Sequence, residues 1–137
     1  MKTLKRFSMG SFVLMVLSMG TMTTASADET YKKCIDKSSD NASWAQCGGQ
    51  WMQREDDKLN STWKTLFAKV NGQTKTDLLA EQRLWVSFKE KACKFYANGD
   101  WGREGQVLSY PSCQAGLIAS RTKDLQDYLK DMNQGGN

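Results

Sequence analysis

The segment EQRLWVSFKEKACKFY, from Glu81 to Tyr96, decides the fold class of this chain. On a helical wheel of about 100° per residue, its apolar side chains and those of the preceding turn gather on one arc. They are Leu78, Leu79, Trp85, Val86, Ala92, Cys93 and Tyr96. The pattern predicts an amphipathic helix from about Thr76 to Tyr96. Two polar residues, Gln82 and Lys89, project from the middle of the apolar arc.

Three further segments are predicted to be helical, and none alternates with the period of a strand. A break at SDNAS separates the first two helices, with Asn41 or Ser43 as a suitable N-cap, and Pro111 introduces the last helix. The four predicted helices span residues 28–39, 44–70, 76–96 and 112–132. The sequence therefore predicts an all-α fold, a small disulfide-stapled bundle of one short and three longer helices.

Residues 1–27 have the pattern of a secretory signal peptide. MKTLKRF supplies a basic start, FVLMVLSMG an apolar core, and ASA at 25–27 a small-residue cleavage site. We expect cleavage after Ala27, a single helical domain over residues 28–132 and a disordered tail over 133–137. The mature protein is expected to be periplasmic or secreted, with no stable membrane anchor.

Composition excludes several classes of function. Three of the cations lie in the leader, so the formal charge of +4 falls to about +1 for residues 28–137. No basic tract remains for nucleic acid. The absence of histidine excludes Ser-His and Cys-His nucleophiles and histidine-bearing zinc sites. No Cys-x-x-Cys is present, and we predict no catalytic residue, metal or cofactor.

Four cysteines in an exported chain predict two disulfides, for which three connectivities exist. The helix positions favour the two local pairs, Cys34 with Cys47 and Cys93 with Cys113. The first would tie the short helix to the second helix, and the other would close the loop between the third and fourth. Each is worth about 3 kcal/mol through the entropy of the unfolded chain.

Charged residues on the predicted apolar faces need partners inside the bundle. Glu55 on the second helix and Arg121 on the fourth occupy such positions, as Gln82 and Lys89 do on the third. An unpaired buried charge is very costly, so we expect these four residues to form one inter-helix polar network. The network either sets helix register or lines a charged cavity open to solvent.

Three segments resemble the LprI-type lysozyme-inhibitor family. AQCGGQWMQREDDKLNSTWKTL carries the Asp56, Leu59 and Asn60 core with an aromatic at Trp63, and LLAEQRLWVSFKEKAC is similar to the family's Gln-Trp-Cys helix. CQAGLIASRTKDL is similar to its closing segment, so the resemblance covers Cys34 to about Tyr128. Lys89 stands where the family usually has Arg, which loosens the expected geometry because lysine lacks the guanidinium fork.

The resemblance implies a small helical domain of bacterial envelopes that inhibits lysozyme. An inhibitor must fill a cleft containing two carboxyl groups. The predicted loop 97–111 offers Trp101, Arg103 and Tyr110 for this contact, unless its aromatics pack back on the bundle. A charge near +1 gives no steering toward basic lysozymes. The alternatives are an envelope interaction module with another protein partner and a wall glycosidase that uses a carboxylate pair.

Overall fold

The computed structural model describes residues 28–135, which contain helices and no strand. The four principal helices are α1 (Glu29–Asp36), α2 (Asn41–Lys69), α3 (Gly72–Lys91) and α6 (Tyr110–Gln134). Between α3 and α6 lie the single turns α4 (Lys94–Ala97) and α5 (Gly102–Glu104) and a π-helical turn (Gly105–Ser109). The predicted all-α class with one short and three longer helices is confirmed. The predicted signal peptide and the last two residues lie outside the described residues.

The N-cap of α2 is not one of the two predicted residues, Asn41 or Ser43. Asp40 is the N-cap, and its carboxylate accepts hydrogen bonds of 2.9 Å from the amides of Ala42 and Ser43. The Ser43 amide and hydroxyl lower the pKa of Asp40, so its carboxylate stays ionised at the positive end of the helix dipole. Asn41 therefore begins the helix rather than capping it.

The end of α3 also differs, because Cys93 adopts a left-handed backbone with φ of 66°. That conformation cannot continue an α-helix, so α3 ends at Lys91 and residues up to Ala97 form the separate turn α4. The loop predicted over 97–111 is mostly helical turns that run directly into α6. Helix α6 continues through Gln134, two residues into the segment predicted as a tail.

Helices α2 and α6 are parallel neighbours at the centre of the fold. Gly48, near the start of α2, lies against Pro111 at the start of α6, and the later halves of both helices share one apolar core. Helix α3 runs antiparallel to both and meets them through side chains, Lys89 with Asp56 on α2 and Gln82 with Arg121 on α6. The buried core residues are Leu59, Leu66, Val70, Leu78, Ile118 and Leu125.

Helix α1 packs antiparallel against the first half of α2. Tyr31 stacks on Trp51 with ring centroids 4.4 Å apart, and Arg54 Nη2 donates to Asp28 at 2.9 Å.

Among residues 28–135, no helix combines the length and apolar character needed to span a bilayer.

Both favoured disulfides are present, joining Cys34 to Cys47 and Cys93 to Cys113, with Cα atoms 5.7 and 5.9 Å apart. Since α2 and α6 are parallel, the two cross-links lie at the same end of the bundle, where both helices begin. Within the described residues the opposite end, formed by the last turns of α2 and α6 and the first turns of α3, carries no cross-link.

Candidate functional site

Arg121 on α6 is the centre of the buried polar contacts. Arg121 is 4 % exposed, and its Nε donates a hydrogen bond to Gln82 Oε1 at 2.9 Å. Its Nη1 donates to Glu81 Oε1 at 2.5 Å, and the Tyr128 hydroxyl donates to the same oxygen at 3.1 Å. Nη2 is buried without a hydrogen-bond partner. One guanidinium therefore links α6 to α3 through two neighbouring residues.

The Tyr128 phenol is held in its protonated form. Partial burial raises the pKa of Tyr128, and the adjacent Glu81 carboxylate raises it further, while Arg121 acts in the opposite direction. The phenol thus remains a hydrogen-bond donor to Glu81 at neutral pH.

The structure brings Gln82 and Arg121 together but places Glu55 and Lys89 elsewhere. Glu55 is 6 % exposed and accepts from Lys58 at 2.8 Å. Lys89 Nζ is 3.5 Å from the Asp56 carboxylate and 5.7 Å from the centre of the Trp85 ring. Lys89 follows Gln82 by seven positions on α3, which is roughly 10 Å along the helix axis. The two side chains therefore contact neighbouring helices at different heights of the bundle. Three separate contacts replace the single network expected from the sequence.

Sequence reasoning missed Glu81, Tyr128 and Asp56 as partners. A usable signal existed for Glu81, because a buried arginine needs an anion and this glutamate adjoins Gln82. It also missed Gln114, a buried side chain that donates to the carbonyls of Lys89 at 3.0 Å and Ala92 at 2.9 Å. Gln114 thereby satisfies two backbone acceptors at the end of α3.

A cavity of about 380 Å³ opens at the bundle end that lacks cross-links. We name it the terminal cup. Its floor is apolar, made by the buried residues Leu66, Val70 and Leu78, and Tyr128 and Met132 form a wall. The remaining lining residues are polar: Thr74, Asp77, Glu81 and Asp131. The cup adjoins the Arg121 contacts because Glu81 and Tyr128 belong to both.

A second cavity, of about 680 Å³, lies between α1, α2 and α6. Its carboxylates Asp28 and Glu55 are paired with Arg54 and Lys58 respectively. Partial burial acts to raise the pKa of Asp28, but hydrogen bonds from Arg54 and the Tyr31 amide outweigh it and hold the pKa below the usual value. This cavity therefore presents ion pairs rather than free charge.

The segment after α3 carries an exposed aromatic cluster. Trp101 is 52 % and Phe95 61 % exposed, with their rings 5.1 Å apart, and Tyr96 lies 5.7 Å from the Trp101 ring. We name these three residues the aromatic patch. Gly105 lies directly beneath, since a Cβ there would be 2.5 Å from the Trp101 Cβ. The patch thus packs on its own turn and still leaves half of the indole accessible.

The other two residues predicted to bind a partner differ in accessibility. Arg103 is exposed, and its Nη1 donates to Gln106 Oε1 at 3.0 Å. Tyr110 is half-buried as the first residue of α6, next to the buried Pro111. Arg103 is therefore accessible to solvent, whereas Tyr110 is partly covered.

The family model described as "Lysozyme inhibitor LprI" matches residues 34–125. The matched range includes both disulfides, the aromatic patch and Arg121 with its partners on α3. No curated protein and no solved structure gives a significant match. The match covers most of the chain, from the first cysteine to the last buried core leucine of α6, so this protein belongs to the LprI lysozyme-inhibitor family.

Proposed function

We propose that this protein is an exported inhibitor that binds a lysozyme through the aromatic patch and Arg103. The observation that carries the proposal is an exposed aromatic cluster, built on a disulfide-closed segment, in a chain of an inhibitor family. The two disulfides and the family also support a periplasmic or secreted location.

The patch has the physical properties of a binding hot spot. Tryptophan and arginine are enriched among residues that dominate interface energies. Tryptophan buries a large area with only two side-chain torsions, and arginine offers a planar cation with several hydrogen-bond donors. Trp101 and Phe95 present apolar surface, and Arg103 adds a cation suited to the two carboxyl groups of a glycosidase cleft. Gly105 and the Cys93–Cys113 bond fix the turn before binding, which lowers the entropy lost on association.

The proposal is tested by lysis of bacterial cell walls by lysozyme with the purified, oxidised protein added. The wild type should protect the walls in a dose-dependent way. Trp101→Ala and Phe95→Ala should each weaken inhibition by roughly tenfold, as expected for a hot spot. Leu84→Ala is the matched control, because Leu84 is 73 % exposed on α3 and outside the patch. Equal loss in all three variants, or no protection by the wild type, would contradict the proposal.

A second candidate is an envelope interaction module with a different protein partner. The charge of about +1 after the leader favours it, because lysozymes of the animal type are basic and would not be attracted over long range. Binding measured against a panel of purified envelope proteins, with Trp101→Ala as the control, separates it from lysozyme inhibition.

A wall glycosidase is the remaining alternative, since Asp28 and Glu55 line one cavity. A general acid needs a raised pKa, but the pKa of Asp28 is lowered. The cavity carboxylates therefore fit structural ion pairs better than an acid–base pair. Release of soluble sugar fragments from purified cell walls would favour the glycosidase.

A further inference from the structure

The terminal cup has the shape of a small ligand site rather than a packing defect. Its volume of about 380 Å³ lies in the lower part of the range for ligand pockets. Leu66, Val70 and Leu78 close its floor with buried apolar surface. Tyr128 and Met132 are large side chains that remain substantially exposed at its wall. An aliphatic chain entering the cup would cover this apolar surface.

The charges around the cup favour a cation. Asp77, Glu81 and Asp131 supply three carboxylates, whereas among residues 28–135 the only cation that forms an ion pair with any of them is Arg121, which pairs with Glu81. Asp77 accepts a hydrogen bond from the neutral Gln73 amide at 2.8 Å, which leaves its charge uncompensated. The cup is therefore locally anionic although residues 28–137 together carry about +1.

The backbone adds to this field. Helices α2 and α6 both end at the cup, and α3 begins there. Each helix C-terminus carries about −0.5 and each N-terminus about +0.5 of an elementary charge. Two C-terminal ends against one N-terminal end leave a net negative potential, which acts in the same direction as the carboxylates.

We propose that the terminal cup binds an alkylammonium group, presented as a lysine side chain by the protein partner. The aliphatic stem would lie on the floor of Leu66, Val70 and Leu78, and the ammonium would meet Asp77 and Asp131 at the rim. This inference rests on the proposed function for its partner. The cup would add a short-range electrostatic contact with a basic protein, at the other end of the bundle from the aromatic patch, and so compensate for the lack of long-range steering.

The chemistry of the cup is tested first with hexylammonium as the probe. The protein, produced with its leader and purified in the oxidised form, is titrated while the methyl NMR signals of Leu66, Val70, Leu78 and Met132 are followed. We expect saturable shifts that weaken with added salt and that hexanol does not reproduce at the same concentration. Absence of shifts, or equal binding of hexanol, would overturn the inference.

The carboxylates are tested with the double variant Asp77→Asn/Asp131→Asn. It should bind hexylammonium roughly three- to tenfold more weakly than the wild type. Asp124→Asn, an exposed charge change on α6 outside the cup, should bind as the wild type does. Unchanged binding by the double variant would overturn the role of the rim.

The partner is tested by lysozyme inhibition with the same variants. The double variant should inhibit several-fold more weakly than Asp124→Asn, whereas equal inhibition would overturn the inference and leave the proposed function intact. A wild type that binds hexylammonium but protects no cell wall would contradict the proposed function, while the cup would stand as a cation site.

Discussion

At the scale of single residues, Gly48 and Gly49 are neighbours in α2 with opposite surroundings. A Cβ on Gly48 would lie 2.6 Å from the Pro111 Cβ and 2.8 Å from its Cγ, whereas a Cβ on Gly49 would meet nothing within 4 Å. The two glycines are therefore indistinguishable in sequence, but only Gly48 lies at a close contact between helices. Gly48 lets α2 approach the first turn of α6 closely, and only the structure identifies which glycine does so.

This difference predicts opposite effects of alanine at the two positions. Gly48→Ala should lower the free energy of unfolding by about 1–3 kcal/mol, because the proline ring cannot yield as a flexible side chain would. Gly49→Ala should raise it by about 0.5–1 kcal/mol through helix propensity alone. Urea unfolding of both variants measures the effect. A Gly48→Ala protein as stable as Gly49→Ala would show that the helices separate at little cost.

Helical periodicity identified Arg121 and Gln82 as inward-facing, and they do meet. It could not rank the possible partners, because a wheel gives the direction of a side chain but not its level along the neighbouring helix. Lys89 therefore reaches Asp56, and Glu55 turns to Lys58 on its own helix. For Trp101, the sequence predicted only that it lies in the segment between the third and fourth helices, and left open whether its ring packs on the bundle. Its half-exposure depends on Gly105 and the neighbouring rings.

At the scale of elements, α3 is the most loosely packed of the three long helices. Leu78 is its only buried residue, whereas α2 and α6 bury several each. Leu84, Val86 and Phe88 are exposed on its outer surface. Apart from Leu78 in the core and Trp85 packed against it, α3 is attached through polar contacts, which are those of Arg121, Lys89–Asp56 and Gln114.

We therefore expect α3 to open locally before the rest of the bundle. Amides in the middle of α3, residues 78–88, should exchange with deuterium at least tenfold faster than those of α6 over 115–125, because fewer buried contacts oppose opening. Hydrogen exchange followed by NMR measures this directly, with residues 55–66 of α2 as the internal reference. Equal protection in all three segments would mean that α3 unfolds only with the whole molecule.

The end of α3 was not predictable from local sequence. FKEKACKFY has neither glycine nor proline, and a left-handed cysteine is an uncommon backbone state. The helix signal of this segment thus continued to Tyr96, whereas the chain turns at Cys93. Tertiary structure decides the boundary here, and it creates the turn on which the aromatic patch is built.

At the scale of the whole molecule, both disulfides hold the end where α2 and α6 begin, but only Cys93–Cys113 closes the segment that carries the aromatic patch. The sequence separations are 13 and 20 residues, so each bond stabilises the fold by about 3 kcal/mol. Similar stabilities with different positions make the two bonds a matched pair.

Replacing each pair by serine should therefore separate stability from binding. Cys34→Ser/Cys47→Ser and Cys93→Ser/Cys113→Ser should lose similar free energies of unfolding, about 3 kcal/mol each. Only the second variant should also lose most of its lysozyme inhibition under conditions in which both remain folded, because its patch becomes disordered. Thermal unfolding and the cell-wall lysis assay measure the two effects. Inhibition lost equally in both variants would indicate that the patch depends on global stability alone.

The position of both cross-links has a consequence for motion. We expect thermal fluctuation in the native state to be smaller at the cross-linked end than at the opposite end, because the two disulfides oppose local opening there. The cross-linked end carries the aromatic patch, whose rings are already in place and lose little conformational freedom when a partner covers them. The opposite end carries Met132 in the wall of the terminal cup, and its unbranched side chain can adapt to the shape of a bound group. A partner that covers both ends would thus meet a rigid surface at one end and an adaptable surface at the other.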